Sequence, residues 1–446
     1  MTETATIFAL SSGHGRAGVA VIRISGPQAG PALDGMAAPR PKPRYAALRR
    51  VRHPASKEVL DEALVLWLPG PKSETGEDIA ELQVHGSAAV IRAVLDALGT
   101  MPGCRLAEPG EFARCAFDNG RLDLTAAEGL ADLIDAETEA QRRQALAQAG
   151  GALARLYDGW RDGLLEARAL TEAAIDFSDE GDVAADALSK AATRASALRD
   201  EIRAHLADGH RGEIIRDGFR VVIAGRPNAG KSSLLNGLAR RDVAIVSDEP
   251  GTTRDVVEVR LDLGGYSVVL TDTAGVRETT GRVEQEGIRR TLARARDADL
   301  VLWLIDATAP DPIIPTEIST GCAPVVTIYS KVDAAPGHLH DRSPASALQV
   351  SSHSGYGLTD LTATLANEVK TRLGAASRPP PSQQRHRLGL ESCLSALDRY
   401  LASASHAPEL GAEDLRQAAD ALGRIVGHID PEEVLGAIFG RFCIGK

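Results

Sequence analysis

The 446-residue sequence is poor in cysteine and in aromatic side chains. Its five cysteines are widely spaced and odd in number, which favours neither a disulfide framework nor a Cys-x-x-Cys metal site. Aromatic residues make up only 4% of the chain, so we expect helices packed by small and aliphatic side chains. A reducing cytoplasm fits this cysteine usage.

Long apolar runs and an excess of positive charge are also missing. No run approaches the roughly 18 apolar residues of a membrane-spanning helix, so we expect no membrane association. The start, MTETATIFALSSG, lacks the basic region of a signal or transit peptide. The formal net charge is −11, whereas isolated nucleic-acid binders are usually basic. The chain therefore either avoids nucleic acid or uses a local patch or a partner.

One local patch exists at residues 35–57. A solvated loop and strand is one interpretation of this run, and a docking surface for nucleic acid is the other. The stretch contains no acidic residue and seven basic ones: Arg40, Lys42, Arg44, Arg49, Arg50, Arg52 and Lys57.

Short apolar runs, turns and one helical pattern predict an α+β domain at the start of the chain. The runs at 19–27, 63–69 and 79–86 are typical of strands, and 88–99 has helical spacing with a Gly stop. Helical texture begins near residue 121. There Thr125, with Glu128 three residues later, predicts a capping box.

Residues 219–370 alternate strand-like and helical segments, which predicts a doubly wound α/β domain around a buried parallel sheet. Helical segments lie on both sides of it. We therefore expect one all-α domain with the α/β domain inserted into it, and two separate helical domains are the alternative. The predicted boundaries are 1–118, 119–215, 216–376 and 377–446.

The stretch GRPNAGKSS, residues 225–233, fits the phosphate-loop pattern GxxxxGK[ST] between a strand and a helix. Lys231 would neutralise the β- and γ-phosphate oxygens, which makes it a catalytic candidate, and Ser232 would bind Mg²⁺. The expected nucleotide contacts of this loop are Asn228, Ala229, Gly230, Lys231, Ser232 and Ser233.

Four further motifs follow in order: TTRD, DTAG, SKVD and SSHSG. A Thr hydroxyl of TTRD, which we assign to Thr253, would complete the Mg²⁺ shell. Asp272 would lie near the metal, and the Gly275 amide near the γ-phosphate. The set resembles translation-factor-like GTPases, and its remaining expected contacts with GTP are Thr252, Thr253, Asp272, Thr273, Ala274, Gly275, Ser330, Lys331, Asp333, Ser351 and Ser352.

Two positions depart from the usual GTPase pattern. Ser330 stands where NKxD has Asn, so we expect retained guanine specificity through Asp333 but weaker nucleotide affinity. Val276 stands where Ras-like enzymes orient water with Gln. Asn228 offers an amide oxygen that could hold K⁺ against the phosphates in place of an arginine finger, and a loop-bracing amide is the alternative.

Nearly the whole chain resembles the tRNA uridine-modification GTPase family MnmE, also called TrmE. TIFALSSGHGRAGVAVIRISGP and KSETGEDIAELQVHGS resemble its N-terminal segments, with Glu74 where the family usually has an aromatic. EPGEFARCAFDNGRLDLTAAEGLADLIDA and the terminal FCIGK match two further signatures, with Arg121 in place of Lys.

The resemblance implies an N-terminal folate-binding-like domain that mediates a homodimer, a helical domain and an inserted Ras-like G domain. Arg23, Glu81, Arg121 and Lys446 occupy the family's contact positions for 5-formyl- or 5,10-methylene-tetrahydrofolate. For Arg23 taken alone, an outward-facing strand residue is the alternative. In the G domain, the resemblance assigns Glu284 to water activation. It assigns K⁺ to Asn228, Thr252 and the carbonyls of Ser247 and Glu249.

The implied reaction takes place at C5 of the wobble uridine of certain tRNAs. With its FAD-containing partner MnmG (GidA), in a heterotetramer, the family installs an aminomethyl-type group there. Folate supplies the carbon, and G domains that approach each other with GTP and K⁺ drive conformational cycling. An Era- or Der-like ribosome-assembly GTPase is the alternative, but this acidic chain has no KH-like GxxG pattern.

Three roles are open for Cys443. Prenylation fits poorly, because Gly and Lys are unlike the usual last two residues of that motif. A thiolate near the folate pocket could act as a nucleophile, with Lys446 and Arg441 lowering its pKa. We therefore count Cys443 among the catalytic candidates, with a silent structural thiol as the alternative.

Overall fold

The computed structural model describes residues 5–13, 15–179, 181–241, 243–245, 258–272, 296–309, 314–319, 323–335, 347–374, 379–404, 406–429, 432–442 and 444–445. The chain forms two compact units. The first contains residues 1–131, 147–199 and 389–446, and the second contains 132–146 and 200–388.

A six-stranded mixed sheet organises the start of the first unit, in the order β3-β4-β5-β2-β1-β6. All its pairs are antiparallel except β1 with β6. The strands are β1 (Thr6–Leu10), β2 (Ala17–Ser25), β3 (Ala47–Arg52), β4 (Val59–Leu68), β5 (Ile79–Gly86) and β6 (Cys104–Leu106).

Helices α1 (Ala29–Ala37) and α2 (Ala88–Gly99) pack against this sheet. The sequence of β2 shows why: Ala20, Ile22 and Ile24 are buried, and the residues between them are partly exposed, which is the period of two of a strand with one covered face. Arg23 lies between Ile22 and Ile24 and therefore points to the opposite face of the sheet. The hydroxyl of Ser87 caps α2.

Helices make up most of the chain that follows this sheet, up to residue 207, and their residues 132–146 and 200–207 belong to the second unit. They are α3 (Glu111–Asp118), α4 (Leu124–Ile134), α5 (Glu139–Ala149), α6 (Ala152–Asp176) and α7 (Gly181–Ala207). The capping box predicted at Thr125 is wrong. The helix α4 begins one residue earlier, and the Asp123 carboxylate accepts from the Ala126 amide at 2.9 Å and from the Thr125 hydroxyl at 2.6 Å.

Three helices close the first unit: α12 (Gln384–Ser403), α13 (Pro408–Val426) and α14 (Glu432–Phe439). The helix α13 packs along α6, which buries Tyr157, Trp160 and Leu164. The buried hydroxyls of Thr171 and Tyr400 lie 3.0 Å apart. No helix within the described ranges is long and apolar enough to cross a membrane.

The second unit contains a six-stranded sheet in the order β12-β11-β10-β7-β9-β8. The strands are β7 (Phe219–Gly225), β8 (Glu258–Leu263), β9 (Tyr266–Asp272), β10 (Leu300–Asp306), β11 (Val325–Ser330) and β12 (Leu348–Gln349). The helices of this unit that follow α7 are α8 (Gly209–Asp217), α9 (Lys231–Ala239), α10 (Thr316–Ser319) and α11 (Leu358–Leu373).

The central strands of this sheet are apolar on both faces. The strand β10 is buried over six consecutive residues, from Leu300 to Ile305, as expected for a parallel strand covered on both sides. The sequence therefore predicted the parallel core correctly. It did not predict β8, which pairs antiparallel with β9 at the edge of the sheet.

Candidate nucleotide-binding site

The phosphate loop joins β7 to α9, and its backbone is shaped by two unusual residues. Gly230 has φ 88°, and Asn228 has φ 61°, a left-handed conformation that Asn tolerates better than most side chains. The helix α9 begins directly after this turn, at Lys231. Free N–H groups at a helix start make a site for anionic phosphate.

Lys231 is buried inside the loop. Its ammonium group donates to the carbonyls of Gly225 and Arg226, both at 3.0 Å. These contacts hold the positive charge against the loop backbone, where it would meet the β- and γ-phosphate oxygens of a bound nucleotide.

Ser232 and Asp272 lie together beside the loop. The Ser232 hydroxyl donates to Oδ2 of Asp272 at 2.5 Å, and Asp272 is 1% exposed at the end of β9. This oxygen-only pair fits Mg²⁺, which binds through few protein oxygens and takes the rest from phosphate and water. Among the described residues, no group of three or more His, Cys, Asp or Glu side chains could hold a metal.

Ser330 connects the phosphate loop to the segment that is predicted to recognise the base. Its side chain is buried, and its hydroxyl lies 2.6 Å from the Ala229 carbonyl and 3.2 Å from the Ile305 carbonyl. Ser330 ends β11, directly opposite Asp306 at the end of β10. The residue that replaces the usual Asn thus still braces the loop.

Asp306 binds the side chain of Lys331, the residue that follows Ser330. The Lys331 ammonium donates to Oδ2 of Asp306 at 2.6 Å, and the Thr308 hydroxyl and amide donate to Oδ1 at 2.6 and 2.9 Å. Burial acts to raise the pKa of Asp306, but the hydrogen bonds from Lys331 and Thr308 outweigh it and lower the pKa. Sequence reasoning missed Asp306, although an acidic residue ending a buried strand was a visible signal.

Asp333 is the partner expected for the guanine N–H groups. A hydrogen bond from the Ser351 side chain lowers the pKa of Asp333, so the carboxylate is ionised at neutral pH. Nδ1 of His353 lies 3.9 Å from Oδ2 of Asp333. The structure therefore brings Lys331, Asp333 and Ser351 together, with Ser352 beside them in the chain.

Several expected site residues lie outside the described residues. They are Ser247, Glu249, Thr252, Thr253, Thr273, Ala274, Gly275, Val276, Glu284, Cys443 and Lys446.

A second polar cluster lies in the first unit. Arg23 donates to the Glu81 carboxylate at 3.0 and 3.1 Å, and Glu74 lies 2.8 Å from it on the other side. Arg121 is exposed, next to the turn at Gly76. Sequence reasoning missed Glu74 as a partner of Arg23, although its charge was a signal for one.

The described end of the chain is fixed against the N-terminal sheet. Ile444 forms a β-bridge with Pro109, and the Ser11 hydroxyl donates to the Gly445 carbonyl at 2.7 Å. A Cβ atom at Gly445 would lie 2.0 Å from the Leu10 carbonyl oxygen, so only glycine fits there. The residues on either side of Cys443 therefore have defined places in the first unit.

Comparisons with known proteins point to one family along nearly the whole chain. Residues 124–443 match the family described as "MnmE helical domain", and residues 6–121 match "GTP-binding protein TrmE N-terminus". A tRNA modification GTPase MnmE from Methylorubrum populi is 55% identical, covering 99% of this chain and 98% of the relative. The protein of that name from Methylobacterium radiotolerans is 52% identical over 100% of both chains.

Among solved structures, a variant of Aquifex aeolicus Era bound to GDP and AlF4⁻ is similar over 40% of this chain and 66% of that chain. Its sequence identity is 25% and its TM-score is 0.27.

Proposed function

The chain belongs to the MnmE family of tRNA modification GTPases, and from this premise we propose that it hydrolyses GTP in the modification of tRNA. The predicted multidomain fold, with an N-terminal TrmE domain, a helical domain and a GTPase domain, agrees with the family matches.

The nucleotide is GTP bound with Mg²⁺. Lys231 neutralises the phosphates, Ser232 and Thr253 bind the metal, and Asp272 lies beside it. Asp333 selects guanine, because its ionised carboxylate accepts from two N–H groups of that base. The bound Mg²⁺ would supply charge neutralisation at the β- and γ-phosphates. The other contacts are Ala229, Gly230, Ser233, Thr273, Ala274, Gly275, Ser330, Lys331, Ser351 and Ser352.

K⁺ stimulates hydrolysis by supplying the positive charge that an arginine finger supplies in other GTPases. Its ligands are Asn228, Ser247, Glu249 and Thr252, and Glu284 activates water. The position of Asn228 supports this assignment, because the residue lies in the phosphate loop, where its backbone is left-handed. Hydrolysis then requires two G domains of a homodimer to approach each other.

The modified atom is C5 of the wobble uridine of certain tRNAs. The FAD-dependent partner MnmG, in a heterotetramer with this chain, supplies the redox chemistry, and tetrahydrofolate supplies the carbon. Arg23, Glu81, Arg121 and Lys446 bind the folate, with Cys443 as a catalytic candidate. We place this chemistry in the cytoplasm and keep the domain boundaries at 1–118, 119–215, 216–376 and 377–446.

The observation that carries the proposed GTP site is the hydrogen bond from Ser330 to the Ala229 carbonyl, and tRNA modification rests on the family matches. This hydrogen bond joins the phosphate loop to the guanine-recognition segment, two motifs about 100 residues apart in the chain. A ribosome-assembly GTPase is not favoured, because residues 6–121 match the TrmE N-terminus.

The test is GTP hydrolysis by the purified chain with Mg²⁺, in buffers that differ only in K⁺ or Na⁺. We expect faster hydrolysis in K⁺, no use of ATP, and loss of activity in Lys231→Ala. Hydrolysis that is equal in both salts would refute the K⁺ assignment. Absence of hydrolysis in the wild-type chain would refute the GTPase.

A further inference from the structure

The strand β3 forms the edge of the N-terminal sheet, and its flanks carry an unusual excess of positive charge. Residues 35–57 contain no acidic side chain, although the chain as a whole has a net charge of −11. We propose that this edge binds the sugar–phosphate backbone of tRNA, an inference that rests on the proposed function. The β3 edge surface consists of Lys42, Arg44, Tyr45, Arg50, Arg52 and Lys57.

The positive charges of this surface are largely uncompensated. Among the described residues, no carboxylate lies within 4.0 Å of Lys42, Arg44, Arg52 or Lys57, and only Arg50 approaches one, Glu62, at 3.9 Å. Basic residues on the helices differ from those of the β3 edge surface in their ion pairing. They commonly face a carboxylate, as Lys190 faces Asp186 at 2.6 Å and Arg416 faces both Glu413 and Asp420. A merely solvated face would be expected to show the same pairing.

Backbone carbonyls hold two of the three arginines of the β3 edge surface in place. Arg44 donates to the Lys72 carbonyl, and Arg52 donates to the Lys57 carbonyl at 3.0 Å. A guanidinium group has five N–H donors, so these contacts leave others for phosphate oxygens. Because the side chains are already ordered, phosphate binding would cost less conformational entropy.

The backbone at both ends of the strand is strained. Among the described residues, four that are not glycine have a positive φ: Arg44, Lys57, Asn228 and Lys331. Two of these belong to the nucleotide site, and the other two are basic residues in the turns on either side of β3. Such conformations are uncommon and concentrate at functional sites. The strain therefore supports a function for Arg44 and Lys57.

An aromatic ring accompanies the charges. Tyr45 is 69% exposed and follows Arg44 directly, so its ring can stack on an unpaired base. A six-residue strand spans about 20 Å, which is long enough to meet several phosphates. The competing explanation is that the charges only prevent pairing of the exposed sheet edge with another chain.

The experiment measures binding of total tRNA from a strain that lacks the gene to the full-length chain, as a function of salt concentration. The test variant is Lys42→Gln/Arg44→Gln/Lys57→Gln. The control is Lys190→Gln/Arg194→Gln/Arg203→Gln, which removes the same charge from residues that face carboxylates. A further variant, Tyr45→Ala, removes the ring without changing the charge.

We expect the test variant to bind tRNA at least about tenfold more weakly at 0.1 M salt. Its plot of log affinity against log salt should be less steep by about 2, since each lost phosphate contact removes about 0.7–0.9 from the slope. The control should keep the wild-type slope. Tyr45→Ala should weaken binding about tenfold at an unchanged slope. Basal GTP hydrolysis should not change in any variant.

Three results would overturn the inference: a wild-type chain that does not bind tRNA, a test variant with the wild-type slope, or equal losses in test and control variants. A wild-type slope together with self-association of the test variant would show that the charges only prevent the sheet edge from pairing with another chain. Loss of the tRNA modification on deletion of the gene is measured separately. It decides the proposed function independently of where tRNA binds.

Discussion

The buried hydroxyl of Ser330 lies 2.6 Å from the carbonyl oxygen of Ala229, so the end of β11 is joined to the phosphate loop. The more usual Asn would have two polar groups at this position, one to brace the loop and one to reach the base. Ser330 has a single hydroxyl, and that hydroxyl is already engaged with the loop. We therefore expect the site to keep its shape and to make one contact fewer with guanine.

Replacing Ser330 by Asn should tighten the binding of GDP and GTP about three- to tenfold, the value of one net hydrogen bond. Ser330→Ala should weaken binding, because the Ala229 carbonyl loses its donor. Both affinities are measured by titration with a fluorescent guanine nucleotide. Unchanged affinity in Ser330→Asn would contradict our account of the departure from NKxD.

Replacing Asp333 by Asn should change the base that is selected. The amide cannot accept from both N–H groups of guanine, so GDP affinity should fall by about 100-fold. It can donate to the C2 carbonyl of xanthine, so XDP should bind better than to the wild-type chain. Competition of GDP and XDP against one labelled nucleotide measures both changes. A variant that still prefers GDP would refute the assignment of Asp333.

Asp306→Asn should weaken nucleotide binding about threefold to tenfold, because Lys331 loses its charged partner. If the two side chains act together, Lys331→Met in the same background should cause little further loss. Nucleotide affinities of the two single variants and the double variant give the coupling directly. Fully additive losses would show that Asp306 does not act through Lys331.

The contribution of Asp306 to stability should depend on pH only in acid. Its pKa in the folded chain is lowered from the ordinary value of 3.8, so its contribution is present above that value and is lost as pH falls through the lower, folded-state pKa. Urea unfolding of wild type and Asp306→Asn should therefore give a constant difference between pH 8 and 5. A difference that changes between pH 7 and 6 would contradict this sign.

Cys115 should be nearly inert in the folded chain. Burial, followed by the nearby charges of Glu77, Glu111 and Asp118, raises the pKa of its thiol to about 12. At pH 8 only about one thiol in ten thousand is then ionised, so alkylation should be about 1,000-fold slower than for a thiol of pKa 9.0. Peptide mass mapping after iodoacetamide treatment, with the urea-unfolded chain as control, tests this. Equal alkylation rates of Cys115 in the folded and the urea-unfolded chain would refute this prediction.

Periodicity predicted the elements whose pattern is strong within a short window. The segments 79–86 and 88–99 became β5 and α2 at the same residues, since their apolar spacing and Gly stop are local signals. The strand β8 was missed, although Val259, Leu261 and Leu263 alternate with polar residues ahead of a Gly264-Gly265 turn. That pattern is typical of a hairpin.

The motifs of the nucleotide site were visible in the sequence, but the contacts between them were not. The hydrogen bonds from Ser330 to Ala229 and from Lys331 to Asp306 depend on which strands are neighbours, and strand order is a property of the whole sheet.

The capping box failed for a local reason. Asp123 offers a carboxylate one residue before the helix, and it took the place expected for Thr125.

The most direct test of the proposed function is mass spectrometry of tRNA nucleosides from cells that lack the gene. Complementation should use the wild-type chain, Lys231→Ala and Cys443→Ser. We predict that the deletion and Lys231→Ala lose the C5-modified wobble uridine and that wild type restores it. The same loss in Cys443→Ser would show that the thiol takes part, and restoration would make it structural. A deletion strain that keeps the modified uridine would contradict the account.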